Sequence, residues 1–119
     1  MQINEKFWQH LQFLVDESKV IIDRPKGSRH PKFSEVVYEV DYGYLENTSS
    51  MDGQGIDVFV GTDSNQKVNG IAVTVDLYKR DSEIKILIGC TEDEKLKVQK
   101  HITKHDSLQG IVIEKELDL

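Results

Sequence analysis

The chain has 119 residues, of which 38% are hydrophobic and 30% charged, and its formal net charge is −6. That balance suits a folded globular domain and argues against a nucleic-acid binder, whose affinity comes mainly from a basic surface meeting phosphates. A single cysteine, Cys90, excludes an intrachain disulfide and a two-cysteine zinc site, and no apolar run approaches the roughly 20 residues that span a bilayer. The start, Met1-Gln2-Ile3-Asn4-Glu5-Lys6, lacks the basic and apolar segments of a signal peptide, so a cytoplasmic setting is expected.

Ile3, Phe7, Leu11, Leu14 and Val15 recur at helical spacing and predict a helix over about 3–17, with Asn4 as its N-cap. Val20-Ile21-Ile22 is a short β-branched strand ended by Arg24-Pro25, and Lys26 to Lys32 is a loop, the most basic stretch of the chain. Alternation from Val36 to Tyr44 predicts a strand, and Asn47 to Gly55 is turn chemistry. Further strands are expected at Ile56–Val60, Asn69–Tyr78 and Ile84–Ile88, the last two paired across the charged turn Lys79-Arg80-Asp81-Ser82. Thr91 and Glu94 have the form of a capping box and open a second helix over about 92–104, and a last strand follows over about 110–116. With the barrel strands spread over about 20–89, the chain is expected to be mainly β with flanking helices, one domain over 1–119. A small closed or partly closed barrel is favoured, because parallel βαβ units would need more helices between strands.

The densest run of chemistry is Asp52-Gly53-Gln54-Gly55-Ile56-Asp57, shortly after Asp41-Tyr42-Gly43-Tyr44. Two carboxylates flank a glycine-rich turn, and oxygen-rich turns of this kind hold hard cations such as Mg²⁺ and Ca²⁺. Gln54 sits in the middle, where a third carboxylate would complete a metal cluster.

These two segments, and the interval between them, resemble the soluble family I inorganic pyrophosphatases. That family carries a Tyr-Pro-x-x-Tyr-Gly-aromatic strand followed by an Asp-Gly-Asp-Pro-apolar-Asp-apolar turn. Ile21-Ile22-Asp23-Arg24-Pro25 resembles the strand that precedes them, and Glu83-Ile84-Lys85-Ile86 the family's Asp-x-Lys-apolar element, so the likeness covers roughly residues 20–90. It implies an oligonucleotide-binding-type β-barrel with Mg²⁺ (or Mn²⁺) at its mouth, diphosphate hydrolysed to phosphate by a metal-activated water, and assembly into homo-oligomers. By this likeness Asp52, Asp57, Asp76 and Glu83 are metal ligands. Tyr42 and Asp57, with Gln54 at a degenerate position, form the catalytic group. Lys32, Lys85, Arg29 and Lys104 meet phosphate, with His105 beside Lys104. Asp23 is a shortened stand-in for a family Glu.

The departures are specific. Gln54 stands where the family has the aspartate that polarises the attacking water. An amide offers a carbonyl oxygen but no charge, and it takes no proton. Loss of general-base help typically costs 10²–10⁴-fold. Gly55 replaces the usual proline, which implies a looser turn, and the family's hairpin between Lys32 and Tyr38 has no clean equivalent. The same residues also have plainer readings: a turn that once bound metal, tyrosines packed in a core, a solvated basic loop, and surface histidines at His101 and His105, whose i, i+4 spacing suits Zn²⁺ but has no third ligand. Cys90 is expected as a small buried apolar residue. Two functions therefore stand side by side. One is a Mg²⁺-dependent phosphoanhydride hydrolase, impaired or substrate-shifted. The other is a catalytically inactive module of the same fold that binds metal, a phosphorylated ligand or a protein partner. Neither involves nucleic acid or membrane.

Overall fold

The computed structural model describes residues 5–50 and 53–116. Helix α1 spans Glu5–Asp16. Strands β1 (Val20–Arg24), β2 (Asp41–Leu45), β3 (Asp57–Val60), β4 (Val68–Asp76) and β5 (Asp81–Ile88) follow, then helix α2 (Glu92–His101) and strand β6 (Leu108–Glu114). Among the described residues the strands form one sheet in the order β1-β2-β3-β5-β4-β6. The mainly β class with flanking helices is as expected. The closed barrel is not shown: β1 and β6 are the two edges of an open sheet.

The sheet is mixed. β1–β2, β2–β3, β4–β5 and β4–β6 are antiparallel, whereas β3 and β5 run parallel with Val58 beside Ile86. The parallel pair arises without an intervening helix, because β4 makes the return journey and β5 then inserts between β3 and β4. Alternation along the strands divides the side chains between two faces. On one, Leu45, Val58, Ile71, Ile86 and Ile88 pack against Trp8 and Val15 of α1. On the other, Phe59, Ala72, Leu87 and Cys90 pack against Val98 of α2 and Ile102 just beyond it. Each helix thus covers one face with the apolar stripe its sequence carries.

Both helices also lend a glutamine to the backbone of the sheet. The Gln12 side-chain carbonyl accepts from Val68 N–H at 2.9 Å. Gln99 imitates a neighbouring strand along the outer edge of β6, donating to Gly110 C=O at 2.9 Å and accepting from Val112 N–H at 2.9 Å. This satisfies groups that would otherwise template pairing with another chain.

Several boundaries differ from the periodicity reading. The strand expected from Val36 begins only at Asp41. Val36 and Tyr38 are buried, but they belong to a narrow ladder that folds the basic loop back on itself: Gly27 N–H donates to Tyr38 C=O, Tyr38 N–H to Ser28 C=O, and His30 N–H to Val36 C=O. Residues 27–38 thus form a short hairpin of their own. Helix α2 ends at His101, short of Lys104. The Asn4 N-cap lies outside the described residues.

The capping box of α2 forms as expected and does more than cap. Glu94 accepts from Thr91 N–H at 2.8 Å, and Thr91 Oγ1 accepts from Glu94 N–H. The same carboxylate accepts from Thr62 N–H and from Thr62 Oγ1, both at 3.0 Å. Burial raises the pKa of Glu94, but its hydrogen bonds with Thr91 and Thr62 outweigh it and hold the group below its ordinary value. Glu94 therefore clamps the start of α2 to the segment after β3. Glu94→Ala removes the shared acceptor of both segments and is expected to cost about 1–2 kcal/mol. Urea denaturation with an unchanged slope and a lowered midpoint would show it; an unmoved midpoint contradicts the clamp.

Candidate functional site

Lys85 is the centre of the site. Its position on β5 beside the start of β3 follows from the parallel register, which places it next to Asp57 on the same face. Lys85 Nζ donates to Asp57 Oδ2 at 2.7 Å, to Tyr42 Oη at 2.9 Å and to Glu83 Oε2 at 3.3 Å. The side chain is only 14% exposed. Burial alone would lower its pKa, but the Tyr42 oxygen and the Asp57 carboxylate outweigh burial and raise it, so the ammonium stays charged. Burial raises the Tyr42 phenol, more than Lys85 pulls it back, so Tyr42 stays a neutral hydroxyl. It accepts from Lys85 and keeps its own hydrogen to donate.

These groups line a cavity of about 480 Å³ together with Asp23, Arg24, His30, Tyr44, Gln54, Gly55 and Lys79. A β-bulge builds one wall. Ile22 pairs with Gly43 and Arg24 with the adjacent Tyr42, so Asp23 is the extra residue and both side chains are re-aimed at the cavity. Arg24 donates to Tyr38 Oη, and its guanidinium lies 5.5 Å from the Tyr38 ring centroid and 5.6 Å from that of Tyr42. His30 is held at a fixed tautomer. Lys32 N–H and Phe33 N–H both donate to its Nδ1, so Nε2 carries the ring hydrogen. Its pKa is lowered by burial and by Arg24, Lys79 and Lys32, which favours the neutral ring.

Gly55 is not loose. A Cβ there would lie 2.8 Å from the Tyr44 ring and 2.9 Å from the Leu45 carbonyl oxygen. The turn that follows Gln54 is therefore pressed against β2, and a proline or alanine in that place would displace Tyr44.

Beneath the cavity the rings stack. Tyr38 and Tyr42 are 5.1 Å apart, Tyr42 and Phe59 4.9 Å, and the His101 ring packs 4.7 Å from Tyr38 and 5.8 Å from Phe59. His101 is thus part of this stack rather than a surface histidine. His105 lies apart from it, 5.7 Å from the Phe33 ring. Cys90 is buried as expected, and burial pushes its thiol up to about 12.

The sequence-derived site residues divide as follows. Tyr42, Asp57, Glu83, Lys85 and Gln54 share the cavity. Asp76 does not. Its carboxylate accepts from Tyr78 N–H and Lys79 N–H and lines a neighbouring hollow, where Lys32 also lies. Arg29 donates to Ser34 C=O within its own loop and lines neither hollow. Lys104 lines neither as well, although it lies close enough to His101 to act on its charge. Asp52 falls outside the described residues. Arg24, Lys79 and Tyr44 line the cavity without having been chosen from the sequence. For Arg24 a signal was present, since it lies within the segment Ile21–Pro25 that resembles the family.

Among the described residues, no three His, Cys, Asp or Glu side chains converge closely enough to hold a metal by themselves. Asp57 and Glu83 do share one cavity with the Gln54 side chain. Two carboxylates in a solvent-open cavity suit Mg²⁺, which is usually held by one or two carboxylates together with waters and substrate phosphates. Among the described residues, no helix is long and apolar enough to cross a membrane.

His101 makes the stack sensitive to acid. Burial, then the charges of Lys104, Lys85, His30 and Arg24, lower its pKa from 6.5 to about 4. Between those values the unfolded chain binds the proton and the folded chain does not, so stability falls as pH drops through that window. The full loss is on the order of 3 kcal/mol. His101→Phe should flatten this part of the stability-against-pH curve relative to the parent; parallel curves would show that His101 is not its source.

The chain matches no known protein-family model and no curated protein, so its chemistry rests on this geometry and on the motif resemblance.

Proposed function

We propose that this chain is a Mg²⁺-dependent phosphoanhydride hydrolase of the inorganic pyrophosphatase kind, slowed by Gln54. The observation that carries the reading is the charged Lys85 ammonium beside Asp57, Glu83 and Tyr42 in a cavity whose wall adds Arg24 and Lys79. Cations at the wall neutralise a diphosphate guest, and carboxylates beside them supply oxygen ligands and a proton acceptor. The open sheet leaves barrel closure, and any oligomer, as parts of the same proposal.

Asp57 and Glu83 would hold the metal. When bound, Mg²⁺ neutralises phosphate charge and lowers the pKa of water. The rest falls to this chain. Arg24, Lys79 and Lys85 draw the phosphoryl oxygens in, and Tyr42 donates its hydroxyl hydrogen to one of them. Gln54 orients a water through its side-chain carbonyl, and Asp57 takes the proton as the water oxygen attacks phosphorus. The P–O–P bridge breaks, and the departing phosphate leaves with the bridging electron pair. Positioning and charge neutralisation dominate such transfers, so the missing aspartate reduces the rate without abolishing the reaction.

A non-catalytic phosphate-binding module is the second reading. Lys85 favours it, because its ammonium already pairs with both Asp57 and Glu83 without a metal.

Phosphate release from pyrophosphate in millimolar Mg²⁺ decides between them. The hydrolase reading expects slow, metal-dependent turnover that Gln54→Asp raises by about 10²-fold or more and that Lys85→Met removes. No turnover in the parent chain or in Gln54→Asp would leave the binding module standing.

A further inference from the structure

The cavity does not end at His30. A second hollow of about 620 Å³ adjoins it and shares Arg24, His30 and Lys79 as a common wall. Beyond that wall its character changes from charged to aromatic. Phe33 projects from the turn of the 27–38 hairpin, and Tyr78 from the turn between β4 and β5. Both remain exposed, Phe33 at 48% and Tyr78 at 86%. His105 closes the hollow beside Phe33.

The backbone that carries these rings is held in place. The His30 ring lies 5.1 Å from Phe33, and its Nδ1 accepts from Phe33 N–H. Asp76 accepts from Tyr78 N–H at 2.9 Å and from Lys79 N–H at 3.1 Å, and so fixes the turn that carries both. One carboxylate thereby places a cation in the shared wall and an aromatic ring in the hollow next to it. A diphosphate alone has no use for this second hollow, since it offers no surface to a ring. A planar heterocycle attached to a phosphate chain uses both compartments at once, because every base has a face that stacks on aromatic side chains.

Resting on the phosphoanhydride reading above, we propose that the substrate is a nucleoside diphosphate or triphosphate. Its phosphates lie in the Lys85 cavity and its base in the hollow between Phe33 and Tyr78. Arg24, His30 and Lys79 meet the chain between them. The size of the hollow is ordinary for small-molecule sites. Asp76, on this account, is a positioning residue for the base compartment.

The test compares four ligands in Mg²⁺: pyrophosphate, methyl diphosphate, and a nucleoside di- and triphosphate, with kcat/KM measured for the parent chain and for the double variant Phe33→Ala/Tyr78→Ala. Both rings are exposed, so the variant should fold, and an unchanged thermal midpoint checks this. The proposal expects the nucleotides to exceed methyl diphosphate by ~10-fold or more. The double variant should erase that advantage, mainly through KM, and leave pyrophosphate turnover unchanged. Equal rates for nucleotide and methyl diphosphate, or equal losses on all four ligands, would overturn the base compartment while leaving the phosphoanhydride reading intact. If no ligand is hydrolysed, the hydrolase reading fails by itself. Calorimetry with a non-hydrolysable nucleoside triphosphate against imidodiphosphate then decides the compartment. Tighter nucleotide binding that the double variant abolishes supports it, and equal or absent binding rejects it.

Discussion

Taking an ammonium out of water costs several kcal/mol unless charges of the opposite sign go with it. Lys85 meets this constraint with Asp57 from β3, Glu83 from its own strand and the Tyr42 hydroxyl from β2. The arrangement depends on register. Asp57 lies beside Lys85 only because β3 and β5 pair in parallel with Val58 next to Ile86. A slip of one residue would send Lys85 into the α1 face and put Ile84 or Ile86 beside Asp57. The polar cluster and the apolar faces thus specify the same pairing. Ile86 is fully buried on one side of β5 while Lys85 finds its partners on the other.

The same register explains why a polar cavity forms at this end of the sheet. On the α2 face, the column of Phe59 and Leu87 is apolar, and helix α2 covers it. One step along, the column becomes Asp57 and Lys85, and the helix no longer covers it. The 27–38 hairpin and the β4–β5 turn fill only part of the gap. Gly43 is needed for this construction, because a Cβ there would collide with the Ile21 carbonyl at 1.8 Å. β1 can therefore lie close against β2, and its bulge at Asp23 can turn Arg24 over the rings of Tyr38 and Tyr42. The cation in the wall is a consequence of a glycine one strand away.

Much of this was legible in the sequence, and the limits have physical causes. Local signals held: helical spacing found α1, the Thr91–Glu94 pair found α2, and alternation found β4 and β5. The association of Tyr42, Asp57, Glu83 and Lys85 in one cavity was reachable only because the motif resemblance supplied long-range adjacency, which composition and periodicity do not encode. What failed turned on hydrogen-bond partners that patterning does not show. The 36–40 segment alternates like a strand, yet its hydrogen bonds go to the basic loop, so it becomes half of a small hairpin. Asp76 reads as one more carboxylate at the correct end of a strand. Its oxygens are instead occupied by the backbone of its own turn, a local competition that Asp wins wherever two N–H groups follow it. Arg24 reads as the end of a strand, because a bulge is a property of two paired strands and cannot be seen in one.

Gln54 is best understood beside Lys85 rather than alone. In a site rich in metal, a third carboxylate would be compensated by divalent charge. Here the floor already carries an ammonium, and the nearby carboxylates Asp57 and Glu83 are shared with it. On the proposed reading, a further aspartate there would add a negative charge facing the phosphates, against the cations Lys85, Arg24 and Lys79. The neutral amide lowers that repulsion at the cost of a proton acceptor. An anion-binding site gains affinity from such an exchange and loses rate. On the proposed reading this suits a guest that gains affinity from further contacts, which the aromatic compartment beyond His30 would supply.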